Sequence, residues 1–276
     1  MYDIFQTDRL IDLWLQEDIG SGDLTAQLMI DADATSTFRM VARESMVIAG
    51  IEIAARVFKK YDASLNVSVL VSDGQPVVKG NHLLTVSGCA RSIVTAERTA
   101  LNILQRMCGI ATETARYCKE LEGTRTRLLD TRKTTPGLRM LEKHAVHCGG
   151  GLNHRLGLAD GVMIKDNHIA ICGSIFKAVE KAKNGVPALT KIEVECDRLD
   201  QIQEALRAGA DVIMLDNMSI EDMSVAVKLI NGASKVEASG GINIKTIRNV
   251  ALTGVDYIST SKITQAAPAV DIGLDE

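Results

Sequence analysis

The segment from Asp130 to His168, DTRKTTPGLRMLEKHAVHCGGGLNHRLGLADGVMIKDNH, carries the densest set of side chains able to do chemistry. Between Arg125 and Lys165, eight Lys/Arg (125, 127, 132, 133, 139, 143, 155, 165) stand against three acids (Asp130, Glu142, Asp160). This is an excess of five positive charges in a chain of formal net charge −4. Such a local excess, broken by glycines and histidines, is the footprint of a pocket for a small, multiply charged anion. Arg132 and Lys133 follow a short apolar run directly. Lys165 closes Val162-Met163-Ile164, where a lysine either snorkels out or meets an anion, and the anion is favoured. His154-Arg155 follows Gly149-Gly150-Gly151, and a triple glycine lets a loop approach a ligand closely or simply flex. Carboxylates complete the set. Glu193 and Glu195 share one face of a strand by alternation, and Asp216 ends the next strand. Two carboxylates at neighbouring strand ends can hold Mg²⁺ through water or bind ribose hydroxyls. Ser239-Gly240-Gly241, opening towards a helix, resembles a phosphate cradle of backbone N–H groups. His82, His144 and His147 read as structural or surface residues.

The elements that must position these groups follow a regular rhythm after about residue 125. Short apolar runs recur at Arg127–Leu129, Gly161–Ile164, Lys191–Val194, Asp211–Leu215, Lys235–Ala238 and Asp256–Ile258. Each is closed by polar or glycine residues, and helices fit between them at Leu199–Ala208, Ile220–Ile230 and Ile244–Leu252. Alternating strand and helix predicts a parallel sheet. In an α/β barrel, function gathers where the strands end. Six strands are fewer than a full eightfold barrel needs, so an incomplete or irregular barrel is expected. Before residue 90 the pattern is one of short strands (Thr37–Ala42, Asn66–Val71, His82–Val86), turns at Asp73-Gly74 and Lys79-Gly80, and one helix over Ile51–Tyr61. Leu10, Ile11, Trp14 and Leu15 repeat at helical spacing. A long helix starts near Ser92, with Ser92 or Thr95 as its N-cap. Along it Leu101, Ile103 and Leu104 can face a core, while Arg98, Asn102 and Gln105 form a polar stripe. The fold class is therefore α/β: a small N-terminal domain over about 1–110 and a barrel-like domain over 111–276.

Composition narrows the class. The chain has 276 residues, 46% apolar, with 3% aromatics. Negative charge and scarce aromatics exclude a nucleic-acid partner. No run reaches the ~18–20 apolar residues a membrane span needs, and the first twenty residues carry too many acids for a signal peptide. Six cysteines (89, 108, 118, 148, 172, 196) stand singly, which predicts reduced thiols in a cytoplasmic protein.

Several motifs carry a resemblance. EDIGSGDLT (17–25), ERTALNILQRMCGIAT (97–112), DTRKTTPGLRMLEKHAVHCGGGLNHRLGL (130–158), IKDNHI (164–169), MLDN (214–217), EASGGI (237–242) and APAVDIGL (267–274) together resemble the quinolinate phosphoribosyltransferase family. The resemblance runs nearly end to end. It implies an open N-terminal α/β sandwich followed by an irregular, incomplete α/β barrel, with the C-terminal tail free to pack back on the first domain. It implies a reaction joining quinolinate to phosphoribosyl pyrophosphate with Mg²⁺, giving nicotinate mononucleotide, CO₂ and pyrophosphate in de novo NAD synthesis. It also implies a homodimer or larger assembly in which Arg98 completes a neighbour's site. Arg132, His154, Arg155 and Lys165 would hold quinolinate. Thr131, Lys133, Glu195, Asp216, Ser239, Gly240, Gly241, Thr260 and Ser261 would serve the phosphoribosyl donor, with Glu195 and Asp216 near the metal and Lys133, Glu195 and Asp216 in the catalytic roles. One stretch departs from the family pattern: Ser261 and Gln265 stand where glycine and histidine are usual. A molybdenum-transport-associated paralogue with another substrate and a non-catalytic anion-binding protein on the same fold are the alternatives.

Overall fold

A computed structural model describes residues 3–276. The chain divides into two compact units, neither continuous in sequence: 1–115, 135–150 and 266–276 form one, and 116–134 with 151–265 form the other. The elements in chain order are α1 (Ile4–Ile19), α2 (Leu24–Met29), β1 (Thr35–Ala42), β2 (Met46–Val47), α3 (Ile51–Tyr61), β3 (Asn66–Val69), β4 (Pro76–Val77), β5 (His82–Cys89) and α4 (Ala90–Glu120). Then come β6 (Arg127–Leu129), α5 (Arg139–Cys148), β7 (Val162–Ile164), α6 (Asp166–Cys172), α7 (Ile175–Gly185), β8 (Ile192–Cys196) and α8 (Leu199–Ala208). The chain closes with β9 (Val212–Asp216), α9 (Ile220–Ile230), β10 (Lys235–Ser239), α10 (Ile247–Leu252), β11 (Tyr257–Ser259) and β12 (Ile272–Asp275).

In the first unit an antiparallel sheet runs β12-β1-β5-β3. Its edge strand β12 comes from the C-terminal tail, with Met40 registered on Leu274. Asp3 caps α1 by accepting from the Phe5 and Gln6 amides, and Thr7, Ile11 and Leu15 form its buried stripe at i, i+4, i+8. The long helix starts at Ala90, earlier than its sequence signal, so Ser92 and Thr95 lie inside it. Thr95 uses its hydroxyl on Asp23 instead, at 3.0 Å, and Asp23 is itself the cap of α2. Leu101, Ile103 and Leu104 are buried as their spacing predicts. Gly109 is required on this helix, because a Cβ there would collide with the Pro268 carbonyl of the returning tail.

In the second unit all six expected strands form one parallel sheet in the order β6-β11-β10-β9-β8-β7. Its outermost strands do not pair with each other, so the barrel is open. Buried Leu128, Ile164, Val194, Ile213, Leu215, Ala238 and Ile258 fill the sheet, and Ile202, Ala205, Met223 and Ala226 of α8 and α9 are buried as well. This near-continuous apolar reading is what a covered parallel sheet demands. No helix among the described residues is long and apolar enough to cross a membrane, and all six cysteines are free thiols.

Candidate active site

The strands run parallel, so their C-terminal ends (Leu129, Ile164, Cys196, Asp216, Ser239, Ser259) lie together, and the chemistry-bearing residues sit at or just past them. A cavity of about 500 Å³ opens there. Thr131, Arg132, Lys133, His154, Arg155, Lys165, Glu195, Asp216 and the Ser239-Gly240-Gly241 turn all line it. Strand register explains the convergence. Ser239 is directly opposite Asp216, and Glu195 is opposite Met214, two residues before Asp216 on the same face. Adjacent strands lie about 5 Å apart, so these polar groups share one chamber.

Four cations (Arg132, Lys133, Arg155, Lys165) meet the carboxylates Glu195 and Asp216 in this wall. Lys165 Nζ pairs with Glu195 Oε2 at 2.5 Å. The Asp216 carboxylate accepts from the Asn217 side-chain Nδ2 at 2.8 Å. Arg155 donates to the Gly161 carbonyl at 3.0 Å. Its burial lowers its pKa, and the like charge of Arg132 lowers it further. A bound anion relieves both penalties.

His154 and Arg155 are held from below. The buried Asp130 carboxylate accepts from the His154 amide (2.8 Å) and from the Asn153 side chain (2.7 Å). The Arg155 amide donates to His154 Nδ1 at 2.7 Å, so the ring carries its proton on Nε2, facing Glu193 Oε2 at 3.0 Å. Glu237 lies behind, 3.6 Å from the same nitrogen. Burial pushes its carboxyl up to about 8, and the charge of Glu193 adds to the shift. Glu193 and Glu237 each keep one buried oxygen, Oε1, without a hydrogen-bond partner. Glu237 is therefore mostly protonated at neutral pH and adds little negative charge to a wall that holds four cations. That balance suits an anion.

The Gly240-Gly241 turn has positive φ at both residues (94° and 65°). A Cβ on Gly240 would strike the Asn217 amide side chain, so only glycine fits. The next helix starts at Ile247, so the cradle is the turn itself and not a helix N-terminus. Within the triple glycine, Gly149 serves packing: a Cβ there would collide with the Ala111 carbonyl and Thr114 of α4, and none of the three glycines lines the cavity.

Other expected residues are not among those that line this cavity. Thr260 is buried and gives its hydroxyl to the Ile242 carbonyl at 2.9 Å. The Ser261 carbonyl accepts the Gln265 amide in the following turn. Neither lines the cavity, and Gln265 is exposed. Arg98 is an exposed residue of α4 in the first unit. Of the eight cations counted in the sequence, only four line the pocket. Arg139 and Lys143 belong to the first unit, where Lys143 is buried, and Arg125 and Arg127 sit at the opposite end of β6. The polar lining residues missed by sequence reasoning are Asn217, Ser259 and Glu237. Glu237 was legible from alternation, being two residues before Ser239 on the same strand face.

The donor set at the strand ends fits Mg²⁺, a hard cation that takes carboxylate oxygens and keeps several waters. Glu195 and Asp216 offer oxygens on adjacent strands, although Lys165 now holds one of them.

Comparisons with known proteins establish the family and the fold. The family model for the quinolinate phosphoribosyl transferase C-terminal domain matches residues 110–275, and that for its N-terminal domain matches 23–108. A probable nicotinate-nucleotide pyrophosphorylase (carboxylating) of Synechocystis is 44% identical over 270 residues, covering 97% of this chain and 91% of that one. The crystal structure of NadC from Streptococcus pyogenes superposes with a TM-score of 0.96 at 40% identity, covering 100% of this chain and 98% of that chain. The nicotinate-nucleotide pyrophosphorylase from Francisella tularensis gives 0.94 at 42% identity, covering 100% and 97%. The chain belongs to the quinolinate phosphoribosyltransferase family.

Proposed function

We propose that this chain transfers the phosphoribosyl group of phosphoribosyl pyrophosphate to quinolinate with loss of CO₂, giving nicotinate mononucleotide and pyrophosphate for NAD synthesis. The observation that carries the reading is the convergence of Arg132, Lys133, Arg155 and Lys165 on one cavity with Glu195, Asp216 and the glycine turn.

Quinolinate presents two adjacent carboxylates. Arg132 and Arg155 match them as planar forks, and Lys165 adds a point charge. His154, fixed in one tautomer, orients the same part of the wall. Lys133 and the 239–241 turn meet the phosphates, while Glu195 and Asp216 face the ribose and would hold Mg²⁺. When bound, Mg²⁺ would supply countercharge for the pyrophosphate leaving group. The ring nitrogen forms its bond to the sugar C1 as the C1–pyrophosphate oxygen bond breaks. Positive charge develops on the ribose, where Glu195 and Asp216 stabilise it, and negative charge grows opposite Lys133. In the second step the ring-carbon–carboxylate bond breaks, CO₂ leaves, and its electron pair flows towards the cationic ring. A solvent proton then restores the C–H bond. No covalent enzyme intermediate is needed: the pocket's work is to hold two mutually repelling anions in reactive contact.

The reading extends to a cytoplasmic homodimer or larger assembly, in which exposed Arg98 reaches a sister chain's pocket. Mixing Arg98→Ala with Lys133→Ala protein should then restore part of the activity each lacks alone; no recovery in mixed dimers rejects the shared site. The function itself is tested by incubating the protein with quinolinate, phosphoribosyl pyrophosphate and Mg²⁺. Stoichiometric nicotinate mononucleotide and CO₂ are expected. Quinolinate binding without turnover would favour a non-catalytic anion-binding protein.

A further inference from the structure

The first unit holds a second cluster of ligating side chains that the transfer reaction does not use. His144 and Cys148 lie one turn apart on α5, so i, i+4 spacing brings them to one face. Asp73 approaches that face from the turn at Asp73-Gly74. His144 Nε2 lies 2.6 Å from Asp73 Oδ2 and 3.5 Å from Cys148 Sγ, and the three ligand atoms fall within 4.8 Å of one another. Asp73 is oriented for this by its other oxygen, which accepts the Gly50 and Ile51 amides at 2.8 and 3.2 Å. Supporting hydrogen bonds of that kind are what fix metal-ligating carboxylates. The imidazole and carboxylate are 15% and 23% exposed, so the cluster is sheltered yet reachable from solvent.

We propose that Asp73, His144 and Cys148 form a binding site for a thiophilic divalent ion of the zinc type, with water as the fourth ligand. One thiolate, one carboxylate and one neutral imidazole balance a double positive charge, and soft sulfur with nitrogen selects zinc over magnesium. A tetrahedral ion with bonds of about 2.0–2.3 Å separates its ligands by roughly 3.3–3.8 Å. The sulfur–nitrogen distance already fits, and the carboxylate needs to withdraw by about 1 Å. Coordination releases the Cys148 thiol proton to water and requires His144 Nε2 without its proton. At present burial and the nearby charge of Asp73 push the thiol up to about 12; a bound cation reverses that balance. The His154–Glu193–Glu237 group also has three ligating side chains. There the Arg155 amide occupies Nδ1 and keeps a proton on the nitrogen facing the carboxylates, which opposes a metal.

The test is a Co²⁺ titration of the full chain after chelator treatment and dialysis. The expected result is one equivalent of thiolate-to-cobalt charge-transfer absorption, abolished in Cys148→Ser, weakened at least about tenfold in His144→Gln, and displaced by Zn²⁺ but not Mg²⁺. No such band, or a band unchanged in Cys148→Ser, overturns the proposal. Should Cys148→Ser not fold, alkylation of the wild-type protein mapped by peptide mass decides instead. Zn²⁺ should slow labelling of Cys148 at least about tenfold relative to Cys172; equal slowing or none overturns the site.

Discussion

The two ends of the same six strands use charge in opposite ways. At the N-terminal ends, cations and acids satisfy one another: Lys191 pairs with Asp211 at 2.6 Å and Lys235 with Asp256 at 2.9 Å. The acids also anchor the sheet, since Asp211 accepts the Ile192 amide and Asp256 the Val236 amide. Burial works to raise the pKa of Asp211, but Lys191 and the Ile192 amide outweigh it and hold the carboxyl below its usual range. At the C-terminal ends burial and the like charge of Arg132 instead disfavour the charge of Arg155, and Glu193 and Glu237 each keep an oxygen without a partner. One end is electrostatically finished. The other is strained by like charges, as a site awaiting an oppositely charged ligand should be.

Substitutions at each end sharpen that contrast. The largest effect is expected from Arg155→Ala with Lys165→Ala: quinolinate affinity falls by roughly 100-fold or more, since each charge-assisted contact contributes about 1.5–3 kcal/mol, while the melting temperature barely moves. Titration calorimetry beside thermal unfolding measures both, and unchanged affinity rejects these residues as quinolinate contacts. Next comes Glu237→Gln. The folded carboxyl is raised to about 8 from an ordinary 4.5. The folded state therefore binds the proton more tightly than the unfolded one, and wild-type stability falls as pH rises from about 4.5 to about 8 and levels off above. Glutamine never ionises, so the variant should gain stability on wild type as pH rises, by up to about 5 kcal/mol at pH 9 for a shift of that size, with the gain shrinking towards pH 5. Denaturant melts across that range show it, and a pH-independent difference means that Glu237 is not a buried, protonated acid. The smallest effect belongs to Asp211→Asn at the finished end. A half-exposed ion pair of this type contributes about 1 kcal/mol or less. Its depressed carboxyl stabilises the fold above the unfolded pKa and loses that contribution as pH falls through the folded one. The variant should thus be slightly less stable at pH 7, equal to wild type in strong acid, and unaltered in KM. A raised KM would place function at both strand ends.

Much of this was legible along the chain. The helices Ile51–Tyr61, Leu199–Ala208 and Ile220–Ile230 match their expected bounds, and all six strands of the second unit fall where short apolar runs end in polar residues. Charge density misled by proximity in sequence. The 125–165 window reads as one basic patch, yet residues 135–150 belong to the first unit, and Arg139 and Lys143 with them are not among the residues that line the pocket. The triple glycine misled for a related reason. Glycine reports only that something comes close, and at Gly149 that is the Ala111 carbonyl and the Thr114 side chain of α4.

The order of residues determined by itself the alternation of strand and helix, the apolar faces and the identity of each reactive group. These depend on local geometry: periods of 2 and 3.6 residues and the groups that close each run. Tertiary structure alone decided which groups meet. Parallel pairing set Asp216 beside Ser239, the depth of burial made Glu237 a neutral acid while Glu195 remained a partner of Lys165, and the folding of α5 beside the 73–74 turn brought a thiol, an imidazole and a carboxylate together. Contact, burial and desolvation are properties of segments distant in sequence, and no local pattern encodes them.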